Sequence, residues 1–331
     1  RRASLSEPDR KPSGLGTLGL LVIMGAAWGL EFSMLKLAVE AGYSETGVLL
    51  VTLAIVAVVF WVIIVAQRAW FRLTRRTVVF LLMLALLGYV LPLLAALWAS
   101  PHVPAGLMTL IASFTPVVTV ATALLCRTER VSPRRILAVV FGLAAAFLVL
   151  VPEASLPQAG NLLWLLLVFV VPLTYGVESV YVSWAWPDDL TPMQIGAGQS
   201  LLALLTVIPI HWAVGEPLHY DPAWPMGQIA ILIVAGCVLT EVFLYFAIIR
   251  ATGGVLVSFA MYLSLFAGIA WGAVIFDERL ELVTWIALGL LFLNRLADGI
   301  DGEVARLSGS TDAGAFLDIT LDFIFYAIFP P

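Results

Sequence analysis

Long apolar runs separated by short polar stretches recur along the chain from Gly16 to Pro330. Runs such as Phe80–Leu87 and Ile229–Ala235 are apolar on every side. A strand of a membrane β-barrel would alternate apolar and polar positions instead. A bilayer core about 30 Å thick takes ~20 apolar residues per spanning helix. The pattern therefore predicts eleven helices, near 16–38, 46–66, 78–98, 104–125, 135–151, 160–184, 192–213, 226–248, 254–275, 281–304 and 314–329. The expected fold class is all-α and integral to a membrane.

Composition agrees, since 62% of the 331 residues are hydrophobic and 12% charged, against roughly 25% charged in soluble domains. The first 15 residues are polar, and the apolar run after them is too long for a signal-peptide core, so the first helix is expected to be its own insertion signal. Cys126 and Cys237 sit at helix-length apolar segments and form neither a disulfide framework nor a metal pattern.

The placement of charge sets an orientation. With the N-terminus inside and loops numbered alternately, 15 of the 17 basic residues fall inside, among them Arg68, Arg72, Arg75, Arg76, Arg127, Arg130, Arg134 and Arg135. Arg279 falls outside, and Lys36 lies near the outer end of the first helix, where it can snorkel. The excess of basic residues in inside loops predicts a multi-pass protein of the inner (plasma) membrane with its N-terminus cytoplasmic.

The chain also repeats itself. Trp28-Gly29-Leu30-Glu31 returns as Tyr175-Gly176-Val177-Glu178, 147 residues on. Gly88-Tyr89-Val90-Leu91 returns as Gly236-Cys237-Val238-Leu239, 148 on, and Glu129-Arg130 as Glu278-Arg279, 149 on. A cytoplasmic segment 1–15 is thus followed by one five-helix unit over 16–151 and another over 152–292. An odd number of helices turns the second copy upside down in the membrane. Inverted repeats of this kind build many secondary transporters, with the substrate site near the midplane between the halves.

Residues ~16–292 resemble the drug/metabolite transporter superfamily of the ten-helix EamA type. The resemblance rests on Ala26-Ala27-Trp28-Gly29, on Phe114-Thr115-Pro116-Val117, and on the Glu129-Arg130 and Asp277-Glu278-Arg279 turns. It implies a carrier of small metabolites or drugs that needs no cofactor.

Within such a carrier Glu31 and Glu178 stand out. A carboxylate inside the bilayer costs about 2.5–3.5 kcal/mol to insert, so it faces the bundle interior or water. A glutamate there can take up a proton on one side and release it on the other, which suits proton-coupled alternating access. A structural helix–helix hydrogen bond is the plainer alternative. Glu241 is a third candidate, with Leu93 at the matching position of the first half. Trp28, Tyr175 and Tyr262 are expected either to line the transport cavity or to pack. His102, His211 and His219 fall at outer helix ends or loops, lack ligand spacing and read as solvated.

The last forty residues change character. Asp298 and Asp301 are three apart and Asp318 and Asp322 four apart, so on helices each pair shares one face. Two such helices side by side would gather four carboxylates, for which divalent ions with hard oxygen preference are the natural partners. Two metals in such a cluster can clamp a pyrophosphate. The small residues Gly302, Ala305 and Gly314 let a backbone or nucleotide come close.

This segment, ~285–331, resembles the CDP-alcohol phosphatidyltransferase family, whose pattern is D-x-x-D-G-x-x-A-R, a spacer, then G-x-x-x-D-x-x-x-D. The resemblance implies that Asp298, Asp301 and Asp318 bind Mg²⁺ or Mn²⁺. It implies that Asp322 completes the metal cluster and acts as general base, and that Arg306 lies near the nucleotide. The family's catalytic fold has six helices and the match spans the second and third, so the enzyme is expected to be incomplete in this chain. The overall expectation is a ten-helix inverted-repeat transporter plus one extra C-terminal helix that shares helix ten with this segment. Its partners would be a small-molecule substrate and membrane lipid, with no nucleic acid; both resembled families include dimers, so a homodimer is compatible with either.

Overall fold

The computed structural model describes residues 14–126, 160–187, 189–215, 218, 225–252 and 260–277. These residues form eight helical rods and, among them, no strand: α1 (Gly14–Glu40), α2 (Glu45–Gln67), α3 (Arg75–Ala99), α4 (Ala105–Leu125), α5 (Gly160–Val168 continuing as Val170–Ala185), α6 (Pro192–Val214), α7 (Met226–Thr252) and α8 (Ala260–Phe276). The first seven are long and apolar enough to cross a membrane. The helices expected at 135–151, 281–304 and 314–329 lie outside the described residues, as does the start of the one expected at 254–275.

The rods are apolar outside as well as inside. On α2, Val58, Val62 and Val65 occupy one exposed face at helical spacing, while Leu49, Leu53, Val56, Phe60 and Ile64 are buried on the other. In water such an outer face would be a large exposed apolar patch; against acyl chains it is the solvated face.

Connections alternate between the two ends of the bundle. At one end the Tyr43 hydroxyl donates to Gln228 Oε1 at 2.9 Å and Thr46 Oγ1 pairs with His211 Nδ1 at 2.8 Å. At the same end His102 stacks on Trp164 with centroids 4.1 Å apart. At the other end Gln194 Nε2 donates to the Ala69 carbonyl at 3.0 Å. There Arg75 and Arg76 share a cleft of about 560 Å³ with Tyr181 and Trp184. So the α1–α2 and α3–α4 connections lie with the end of α6 and the start of α7, opposite the α2–α3 and α5–α6 connections. Helix ends are closed locally. Arg68 (φ 51°) caps α2 in the left-handed conformation, and Thr191 with Gln194 forms a reciprocal capping box on α6.

Three rods are interrupted near mid-span where the hydrophobic pattern runs straight through. Each interruption precedes a proline, which lacks an N–H and collides with the carbonyl four residues back. In α4 the break at Ser113–Phe114 precedes Pro116. The Ala112 carbonyl that Pro116 cannot serve accepts from Thr115 Oγ1 at 2.7 Å, and Ser113 Oγ donates to the Leu110 carbonyl at 2.6 Å. In α3 a π-helical segment, Ala85–Val90, widens the ladder just before Pro92, and Gln199 Nε2 reaches across from α6 to the Leu84 carbonyl at 3.4 Å. In α5 the helix is interrupted at Phe169, ahead of Pro172.

The packing has an exchange symmetry. α1 lies against α7 and α8; α5, four rods on, lies against α3 and α4. α2 packs on α6, and the α2–α7 contact is mirrored by α6–α3. Swapping α1–α4 with α5–α8 in order leaves these main neighbour pairs unchanged.

Candidate functional site

The two copies of the Trp/Tyr-Gly-x-Glu stretch sit at equivalent places. A Cβ on Gly29 would lie 2.5 Å from the Gly268 nitrogen and 2.7 Å from both Ala267 Cβ and the Ser264 carbonyl, so α1 rests directly on α8. A Cβ on Gly176 would lie 2.6 Å from Val118 Cγ1 and 2.9 Å from the Thr119 nitrogen, so α5 rests equally closely on α4. Ala267 and Gly268 are 149 residues beyond Val118 and Thr119, the spacing of the repeat itself. With each glycine face seated on a neighbour, the glutamate two positions on projects elsewhere around the helix. Glu31 and Glu178 are both buried, at 3% and 6% exposure.

The two acids meet a third. Glu241 on α7, half-buried, stands within electrostatic reach of both Glu31 and Glu178. On the same helix Cys237 and Tyr245, one turn either side, face the same centre. Cys237 feels Glu31 and Glu241, and Tyr245 feels Glu178 and Glu241 while sharing a hydrogen bond with Ser179 of α5. Tyr89, on the π-helical segment of α3, and Tyr175 on α5 each lie within reach of all three carboxyl groups. Trp28 turns its indole N–H toward Glu241 but stops short of hydrogen-bond geometry.

The π-helical segment places its own constraint. A Cβ on Gly88 would sit 2.5 Å from Glu178 Oε1 and 2.8 Å from Gln199 Nε2, so the Glu178 carboxyl rests on the bare backbone of α3. Gly236, the repeat equivalent on α7, has no atom within 4 Å of the same position. The halves therefore share a plan but not a site: Gly88 is filled by Glu178, and Gly236 is open.

Several buried polar atoms around this centre make no hydrogen bond: Trp28 Nε1, Glu31 Oε1, Tyr89 OH and Gln199 Oε1. Such groups normally find a partner. Among the described residues no basic side chain pairs with any of the three glutamates; the ion pair there is Lys36–Glu40, at 3.9 Å, with Lys36 also lying 4.7 Å over the Phe276 ring. Buried carboxylates without a counter-charge are tolerable when neutralised by a proton or a cation.

Of the residues picked out by sequence, Glu31, Glu178, Glu241, Trp28 and Tyr175 are brought together. The side chain of Tyr262 is outside the described residues, and so are Asp298, Asp301, Gly302, Ala305, Arg306, Gly314, Asp318, Asp322 and His219. His102 is exposed, in keeping with a solvated reading. His211 corrects it: the imidazole is 5% exposed, because the adjoining ends of α2 and α6 close over it and Thr46 supplies its hydrogen-bond partner. Sequence reasoning missed Tyr89, Gln199 and Tyr245. The signals were present, since Tyr89 belongs to a repeated tetrapeptide, Gln199 is a polar residue within an apolar span, and Tyr245 follows Glu241 by one turn.

Residues 16–151 and again 162–294 match the EamA-like transporter family. Over 44 residues the chain is 61% identical to the inner membrane protein YnjF of Escherichia coli (strain K12), a stretch that covers 13% of this chain and 21% of that relative's length. A solved structure described as "Crystal structure of protein" superimposes over 88% of this chain and 99% of its own, with a TM-score of 0.61 at 18% identity. At that identity the likeness is one of fold.

Proposed function

The chain belongs to the EamA-like transporter family, and from that premise we propose that it carries a small metabolite or drug across the inner (plasma) membrane by proton-coupled alternating access. The observation that carries this reading is the convergence of Glu31, Glu178 and Glu241 at one buried centre without a basic partner among the described residues. Two family matches, one per half, and the exchange symmetry of the helix neighbours support an inverted pair of five-helix units. The basic residues Arg68, Arg72, Arg75 and Arg76, gathered at one end, support a cytoplasmic N-terminus.

In this reading the centre holds protons when open to one side. When substrate enters from the other, the carboxyl groups release those protons and the bundle rocks about the α2–α6 contact. Glu31 and Glu241 belong to rods packed on one another, and Glu178 to the opposing set, so any rocking of the sets changes the distances between the acids.

The test is flux into proteoliposomes under an imposed pH gradient, with a panel of small metabolites. Glu31→Gln and Glu178→Gln each remove a group able to make charge-assisted hydrogen bonds worth about 1.5–3 kcal/mol, so gradient-driven accumulation should fall about 10- to 100-fold. The gel-filtration profile should not change. Accumulation at the parental rate in both variants, at every pH, rules out coupling through these acids.

A second reading rests on the aspartate pattern of the C-terminal segment alone: metal-dependent transfer of a phosphatidyl group from CDP-diacylglycerol to an alcohol, with Asp322 as base. It requires Mg²⁺- or Mn²⁺-dependent CMP release by the purified chain that disappears in Asp322→Asn. Absence of CMP release disposes of it without touching the transport reading.

A further inference from the structure

We propose that the Glu31/Glu178/Glu241 centre is a binding site for an organic ammonium ion, a compact amine that also carries a hydrogen-bond acceptor. The proposal rests on the transport reading for its context and narrows it to a class of substrate.

Charge gives the first argument. Two carboxyl groups, Glu31 and Glu178, each within electrostatic reach of a third, Glu241, with no basic side chain paired to them among the described residues, attract a cation and repel an anion. Geometry separates an organic cation from a metal ion. Among the described residues no three Asp, Glu, His or Cys side chains are grouped closely enough to hold a metal. That spacing suits a charge spread over a body larger than a metal ion.

The lining gives the second, independent argument. Trp28, Tyr89, Tyr175 and Tyr245 bring aromatic rings to the same centre, and ring faces attract ammonium groups. Two acceptors, Glu31 Oε1 and Gln199 Oε1, and two donors, Tyr89 OH and Trp28 Nε1, are buried there without partners. Tyr89 is 2% exposed and within reach of all three acids, so its hydroxyl is aimed into the cluster. An ammonium group satisfies the acceptors. The donors require an acceptor on the ligand, and a neutral hydroxyl or carbonyl serves where a carboxylate would meet three like charges.

The experiment is equilibrium binding to the purified full chain in detergent with three ligands of one shape: 2-phenylethylamine, 2-phenylethanol and phenylacetate. Ethanolamine and choline extend the cationic arm. Saturable binding of an amine, with the alcohol and acid at least about tenfold weaker, is the expected result. Glu241→Gln should weaken the amine about tenfold or more. Tyr89→Phe, which keeps the ring and the packing, should weaken ethanolamine more than 2-phenylethylamine, because one of the two carries an acceptor for the hydroxyl. Equal binding across the charge series, or amine binding indifferent to Glu241→Gln, overturns the proposal, as does absence of binding by every amine. Proton-coupled flux of a neutral or anionic compound in the same preparation would overturn the ammonium assignment and leave the transport reading standing.

Discussion

Three glycine-to-alanine substitutions separate what the sequence repeat implies from what the packing imposes. Gly29, Gly88 and Gly236 all lie in spanning helices, and the last two are repeat equivalents. An added methyl on Gly29 meets the Gly268 nitrogen at 2.5 Å and the Ser264 carbonyl at 2.7 Å, both backbone atoms. Ordinary contact begins near 3.4 Å, so α1 and α8 must part by about 0.9 Å. Overpacking of that kind costs about 1–3 kcal/mol. The methyl of Gly88→Ala meets an equally close atom, but that atom is Glu178 Oε1, the end of a side chain that can turn. Stability should fall by less than about 1 kcal/mol, at the low end of overpacking costs. Glu178 is instead driven off its position by about 0.9 Å. Misplacing a working group by about 1 Å can cost ~100-fold in rate, so transport should drop at least about tenfold. Gly236→Ala meets nothing within 4 Å and should be silent in both measurements. Thermal unfolding followed by gel filtration reads the first quantity and proteoliposome flux the second. The expected order of stability is Gly236→Ala, then Gly88→Ala, then Gly29→Ala. The expected order of flux per folded molecule puts Gly88→Ala last. If Gly88→Ala and Gly236→Ala transport alike, the contact between Gly88 and Glu178 does not govern function and the asymmetry argued here is wrong.

Two further outcomes test other parts of the structure. Thr46→Val removes the 2.8 Å bond to His211 and leaves a buried imidazole nitrogen without its partner, a loss of about 1–3 kcal/mol in unfolding measurements; Thr46→Ser should restore most of it, and parental stability in the valine variant would contradict the buried pair. Cys126 is exposed at the end of α4 and Cys237 is buried, so a membrane-impermeant maleimide should label Cys126 in inside-out vesicles and leave right-side-out vesicles unlabelled; the reverse pattern would invert the orientation read from the basic loops.

Much of this was legible in the chain. Uniform apolar runs located α1, α2, α6 and α7 to within a few residues, because a helix in lipid has no alternative partner for its backbone and runs the full thickness of the bilayer. The repeat of Trp28-Gly29-Leu30-Glu31 marked both the acids and the helix contacts that seat them. The breaks in α3, α4 and α5 were not seen, although Pro92, Pro116 and Pro172 signalled them. Hydropathy counts side chains and is blind to a missing N–H. Tyr89 and Gln199 escaped for another reason: their place at the site depends on which face α3 presents after its π-helical turn, and no linear spacing encodes that. His211 was misread because proximity to a helix end was taken for exposure, when a partner across the bundle decides it.

The distribution of prolines gives the repeat its working asymmetry. The two halves are related by exchange of neighbours, yet α1, α7 and α8 are uninterrupted over their described lengths, whereas the equivalent trio α5, α3 and α4 is broken in every member. A break inside lipid exposes backbone groups at a cost of several kcal/mol unless something else binds them. Here Ser113, Thr115 and Gln199 bind carbonyls at or beside the breaks. These side chains are adapted to the interruptions, so the interruptions are part of the fold. Glu31 and Glu241 stand on the continuous trio and Glu178 on the broken one, with its carboxyl against the π-helical turn. In the proposed cycle, bending at the breaks would move Glu178 relative to the other two acids, which stand together on the continuous trio. A centre of three like charges is sensitive to such a displacement. On the proposed cycle, rocking of the two sets would couple to charge through the position of the Glu178 carboxyl group.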